Sequence, residues 1–141
     1  MSGFVDVRSY FRTNLAALGF TEWKDVFNVD NIPASKMEKA FHISAVSGSR
    51  RDPFDPNSLE VQAECVIHLW RKGFKNPSDA ADRSLVDLDA VLLRVLDPAR
   101  RFGPAIKNVY YNGHTIEALD ATNDNVAVLE ITFTCLIIVC V

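Results

Sequence analysis

The sequence predicts an α+β fold: a mainly antiparallel sheet carrying two principal helices on one face, in the order α-β-β-α-β-β. Two stretches place apolar side chains at helical spacing, and the other ordered stretches alternate apolar and polar side chains with the period of a strand. The first two alternating runs are separated by a polar segment that could not form a crossover helix, so they pair as an antiparallel hairpin. At 141 residues the chain can bury one hydrophobic core and is read as a single domain spanning 1–141.

Phe4, Val7, Phe11, Leu15 and Leu18 recur on one side of a helix, with Arg8 and Arg12 elsewhere on its wheel. Gly19 stands where such a helix stops. From Thr21 to Ser35 the apolar residues lose their periodicity, and a packed connector with short strand or helical pieces is expected. Strand alternation then runs from Lys39 to Ser47, with Phe41, Ile43 and Ala45 on one side and His42 and Ser44 on the other. A second strand, Ser58 to Lys72, points Leu59, Val61, Ala63, Cys65, Ile67 and Leu69 one way and Glu60, Gln62, Glu64, His68 and Trp70 the other. Keeping both apolar rows on one face requires Phe41 to oppose Cys65 or a residue an even number of positions away.

After Asn76-Pro77, a second helix is expected with Ser78 as its N-cap and Asp79 and Asp82 in its first turn, ending near Leu96. Leu85, Leu88, Val91, Leu92, Val95 and Leu96 form one broad apolar arc. Val86, Ala90 and Leu93 form a separate strip beyond Asp82 and Asp89, and Arg83, Asp87 and Arg94 fill the polar remainder. Pro98 to Lys107 reads as a loop and Val109 to Leu119 as strand, with Asn112-Gly113 making either a turn or a bulge. After a polar turn, Asp120 to Asn125, the final strand puts Ala127, Leu129, Ile131, Phe133, Cys135, Ile137, Val139 and Val141 on one face. Its other face begins polar with Glu130, Thr132 and Thr134 and ends apolar with Leu136, Ile138 and Cys140.

The formal charge of −3 provides no general attraction to nucleic acid, and the pairs Arg50-Arg51 and Arg100-Arg101 are too short to change that. Cys65, Cys135 and Cys140 are odd in number, form no C-x-x-C and lie in apolar runs, so free thiols in a reducing cytoplasm are expected. The first residues lack the pattern of a signal peptide, and Leu136 to Val141 falls far short of the about 20 apolar residues a membrane helix needs, so no membrane segment is expected.

Chemistry finds little support. Cys65 and His68 are three apart on a strand and point to opposite faces, which excludes a direct nucleophile–base pair. His42, His68 and Glu64 share a face, but ordinary cross-strand polar pairs account for them without a metal, and His114 reads as an exposed turn residue. Asp79, Asp82, Asp87 and Asp89 spread around the second helix, where capping and solvation explain them. No phosphate-binding glycine motif occurs. No catalytic residue, cofactor or metal is therefore assigned, and a non-enzymatic role is expected.

Three features exceed what a lone subunit needs. The segment Gly48 to Asn57 is long for a hairpin connection and carries Arg50, Arg51, Asp52, Phe54 and Asp55 among two prolines. It is either a solvated loop or an arm to a neighbouring subunit. The strip Val86, Ala90 and Leu93 lies either under the 21–35 connector or on an interface, and the doubly apolar end of the last strand either is central under both helices or is covered by a partner. Self-association accounts for all three at once.

The layout as a whole resembles the tail-terminator (tail-completion) proteins of long-tailed bacteriophages: an amphipathic first helix, a hairpin with a long polar loop, a helix starting near Pro77-Ser78 and a strongly β C-terminal hairpin. The similarity spans nearly the whole chain and rests on layout and texture, including Leu59-Glu60-Val61-Gln62-Ala63 and Val128-Leu129-Glu130-Ile131-Thr132-Phe133. The resemblance implies a virion protein, assembled in the host cytoplasm, that forms a hexameric ring on the finished tail tube. That ring stops tube polymerisation and provides the surface to which the head attaches. Its implied partners are other copies of itself, the tail tube protein and the head-tail connector or neck protein, with DNA passing through the lumen without sequence recognition, and no cofactor. The alternatives are another neck or tail component, such as a connector or tube protein, or a small non-phage α+β binding protein, which would be a monomer or dimer with an apolar pocket.

Overall fold

A computed structural model describes residues 3–23, 38–50, 60–72, 76–97, 105–121 and 124–138. Helix α1 (Gly3–Ala17) is followed by a short strand β1 (Thr21–Glu22), the hairpin strands β2 (Ala40–Arg50) and β3 (Glu60–Lys72), helix α2 (Pro77–Val95), and the strands β4 (Ile106–Ala121) and β5 (Asp124–Ile138). The expected α+β class and the two helices are present. The order differs from the expected one by the extra strand β1, which pairs in parallel with Ala40 and Phe41 and makes the sheet mixed.

Helix α1 ends as its glycine requires. Gly19 adopts φ of 91°, and the Gly19 and Phe20 N–H groups donate to the Ala16 and Leu15 carbonyls at 3.0 and 3.1 Å. These two bonds form a Schellman cap, which turns the chain so that Phe20 enters the core. Lys39 also has a left-handed backbone, φ 56°, so β2 begins one residue later than the alternation predicts.

The strands lie in the order β1-β2-β3-β5-β4. The last strand of the chain is therefore internal, antiparallel to β3 on one side and to β4 on the other. Strands β3 and β4 consequently run in the same direction, and α2 joins them as the crossover of a split β-α-β unit into which β5 is inserted. Phe41 opposes Leu69, four positions from Cys65, as the face argument requires. The ladder then slips between Ile43 and Ala45, so Val46 rather than Ala45 stands opposite Cys65.

One face of the sheet is the core. Phe41, Ile43, Ala63, Cys65, Ile67, Leu69, Leu129, Ile131, Phe133, Cys135 and Ile137 pack there against Val7, Phe11 and Leu15 of α1 and Leu88, Val91 and Val95 of α2. The Phe11 and Phe133 rings meet at 4.9 Å between centroids. Trp70, expected on the polar row, is buried all the same. It joins Ala40, Val126, Val128 and Trp23 in a small second cluster on the face away from the helices.

Asn112-Gly113 is a bulge inside β4, not a turn: the register shifts between Tyr111 and Gly113, and Gly113 takes φ 137°. The polar segment expected as a turn from Asp120 is shorter, because pairing continues to Ala121 opposite Asp124.

Candidate interaction surface

Helix α2 starts two residues earlier than a Ser78 cap would place it. Asn76 is its N-cap, with extended backbone, and its side-chain oxygen accepts from the Asp79 N–H at 2.9 Å, while Pro77 occupies the first turn where no N–H is needed. This corrects the assignment of Ser78. The cap fixes where the helix begins.

The side that meets the sheet consists of Ala80, Ser84, Asp87, Leu88, Val91 and Val95, all buried and spaced four, three or four, and four residues apart. Leu92 and Leu96 are half-buried, and Leu85, expected in the buried arc, is exposed. Asp87 was expected among the solvated residues and is instead buried. Arg71 of β3 donates to its carboxylate at 2.7 Å and to Glu38 at 2.5 Å. Arg83 donates to the same Glu38 at 2.9 Å and to the Lys72 carbonyl. The result is a charge network that fastens α2 to the end of β3. Burial pushes the Asp87 carboxyl above its ordinary value, opposed by the hydrogen bond and charge of Arg71. At the other end of α2, Arg94 donates to Asn14 at 3.0 Å, and Tyr10 donates to the Val95 carbonyl at 2.8 Å, which ties the two helices together.

Beside the exposed carboxylates Asp82 and Asp89, α2 also presents apolar side chains to solvent. Val86 is 67% exposed and Leu93 79% exposed, and Ala90 between them is half-buried. Among the described residues nothing covers the strip, and most of the 21–35 connector lies outside the described residues. On the outward face it alternates with carboxylates, in the series Asp82, Val86, Asp89, Leu93. Near the C-terminal end an open groove of about 760 Å³ is lined by Leu92, Leu93 and Leu96 between Asp89 and Asp97.

The other expected interaction residues are divided. Arg51, Asp52, Phe54 and Asp55 lie outside the described residues, and Arg50 is described only as the last residue of β2, opposite Val61. Gly48, expected to open the loop, is a strand residue facing Ala63. A Cβ there would lie 2.6 Å from the Phe4 ring, so the glycine makes room for α1 to rest on the sheet.

His42 and His68 face each other across β2 and β3, as their shared face predicts, but each has its own partner. His42 Nδ1–H donates to the Trp23 carbonyl at 3.1 Å, and His68 Nε2 lies 3.0 Å from Glu130, not Glu64. Among the described residues no three potential metal ligands gather. Cys65 and Cys135 are free thiols in the core; burial raises both, Cys135 to about 12, so neither supplies thiolate at neutral pH. Cys65 and His68 point to opposite faces. No helix of the described residues is long and apolar enough to cross a membrane.

Exposed aromatic residues on the two faces of the edge strand have no counterpart among the expected interaction residues. On the outer strand β4, Tyr110 and Tyr111 are 46% and 37% exposed, and His114, expected in a turn, is a strand residue stacked on Tyr111. The signal was the run Val109-Tyr110-Tyr111, which periodicity alone places in a strand without saying that the strand is an edge.

Compared with protein-family models and with curated proteins, the chain matches none.

Proposed function

We propose that this chain is a structural, self-associating protein of a long-tailed phage virion, forming a ring that caps the tail tube, stops its polymerisation and provides the head-attachment surface. The observation that carries the self-association is the outward strip of α2, where Val86 and Leu93 remain largely exposed in the single chain. The phage role rests on the resemblance in layout. Heterologous contacts closed into a ring leave no patch unpaired and end growth at a defined size, which is what a cap on a polymer requires.

Light scattering on the purified full chain tests the first part, and electron microscopy of the particles tests the second. Discrete annular particles that do not elongate are expected, and Val86→Ser with Leu93→Ser should disperse them without unfolding the chain. Filaments would favour a tube protein instead. A monomer at high concentration would remove the proposal.

The groove between Asp89 and Asp97 favours a second reading, a small α+β binding protein that takes an apolar ligand with a cationic group. That protein would be a monomer or dimer, and Leu96→Asp would abolish binding without affecting its mass in solution.

A further inference from the structure

The outward faces of the two helices carry opposite charge. On α2 the centre line is Asp82, Val86, Asp89 and Leu93, and neither of these carboxylates forms an ion pair among the described residues. On α1 the corresponding line is Val5, Ser9, Arg12 and Ala16, flanked by Arg8. Val5 is 58% exposed, and Arg8, Ser9 and Ala16 are exposed. Arg12 holds Glu22 at 2.8 Å and still shows 43% of its side chain to solvent.

Each stripe thus mixes exposed apolar or small side chains with charge of one sign. Two α2 stripes laid together antiparallel would set each carboxylate against Val86 or Leu93, and would gather the carboxylates of both copies with no cation from either stripe to offset them. An α1 stripe offers what α2 lacks: cations at helical spacing, with the small side chains of Ser9 and Ala16 between them that permit close approach. We infer that the α2 stripe of one copy is covered by the α1 stripe of a second copy, with Arg8 and Arg12 set against Asp82 and Asp89 and with Val5 against Val86 and Leu93.

The shorter helix limits the area: the 15-residue α1 is about 22 Å long and a helix is about 10 Å wide, so one α1 on one α2 covers about 220 Å² per copy. A two-fold pair that makes the contact twice buries about 900 Å² in all, the size of a weak, transient interface. The contact also explains why α2 is phased with apolar groups outward: its acids and leucine complete a partner's surface.

This inference rests on self-association and is separable from the ring. Sedimentation equilibrium on the full chain compares wild type, Arg8→Asp, Asp89→Arg and the double variant, with circular dichroism confirming the fold of each. Either reversal should raise the dissociation constant about tenfold or more, added salt should weaken wild-type association, and the double variant should recover affinity. Recovery in a two-subunit particle supports the contact and removes the ring. Rings indifferent to both reversals keep the ring and overturn the contact. A double variant no better than the single ones also overturns it, and a wild-type monomer at millimolar concentration overturns both. Val86→Ser with Leu93→Ser, which changes no charge, should weaken association as well; unchanged association in that variant would overturn the contact.

Discussion

Helices α1 and α2 lie on the same face of the sheet and each buries one apolar row, yet α2 also buries a carboxylate and leaves a leucine outside. Helix α1 buries Val7, Phe11 and Leu15 and exposes Arg8 and Arg12, as its periodicity predicts. Helix α2 buries Asp87 and exposes Leu93 and Val86. In α1 a single apolar stripe leaves one favourable rotation. In α2 two stripes compete, and the choice falls to partners far away in the chain. Asn76 starts the helix, Arg71 and Glu38 receive its polar side, and Tyr10 and Asn14 receive its end. Apolar content shows that a helix packs; which side packs is decided by what the rest of the fold offers it.

The sharpest test of this contrast is Phe11→Ala in α1, where the ring is fully buried against Phe133 and its loss should cost about 3–5 kcal/mol in chemical denaturation. On α2 the comparable residue is charged. Asp87→Ala leaves Arg71 buried with one partner fewer and should cost about 3 kcal/mol, whereas Asp87→Asn should cost less because it keeps an acceptor in place. The pH dependence has a defined sign. Because burial raises the Asp87 carboxyl in the folded state, the native protein binds more protons there than the unfolded chain. The favourable contribution is complete below the ordinary aspartate value and is lost as pH rises through the folded value. Wild type should therefore lose stability relative to Asp87→Asn across that window, and a carboxyl titration by NMR should place Asp87 above the usual range. Asp87→Ala without cost would mean that the charge network does not set the phase of α2.

Gly48→Val tests how α1 is seated. The added Cβ meets the Phe4 ring at 2.6 Å, so about 1–3 kcal/mol should be lost, and most of it should return when Phe4→Ala accompanies it. The smallest effect belongs to the exposed strip. Leu93→Ala should change stability by less than about 0.5 kcal/mol while weakening self-association, a separation that identifies a surface serving other molecules.

Much of this was legible in the residues. The cap of α1 is visible in Gly19, the inner rows of β3 and β5 in their strict alternation, and the even-numbered register in the demand that both rows share a face. The outward strip of α2 was legible as an excess of apolar positions. Its charge network was not, because Asp87 sits in sequence among residues that solvate well, and only the approach of Arg71 and Glu38 from distant segments makes its burial tolerable. The burial of Trp70 was hidden for the same reason: alternation assigns it to the outer row correctly, but its burial depends on Trp23, Val126 and Val128 arriving beside it. The slip between Ile43 and Ala45 has no mark in the sequence, since each neighbouring residue fits a strand in either register.

What the sequence determined by itself is the set of elements and the apolar rows within most of them, because these depend on backbone geometry and on residues a few positions apart. Tertiary structure alone decided that β5 lies between β3 and β4, that β1 joins the sheet in parallel, and that α2 turns its acid–leucine stripe to the outside. Those outcomes depend on contacts between residues far apart in the chain, where a side chain's environment comes from whichever segment is packed against it.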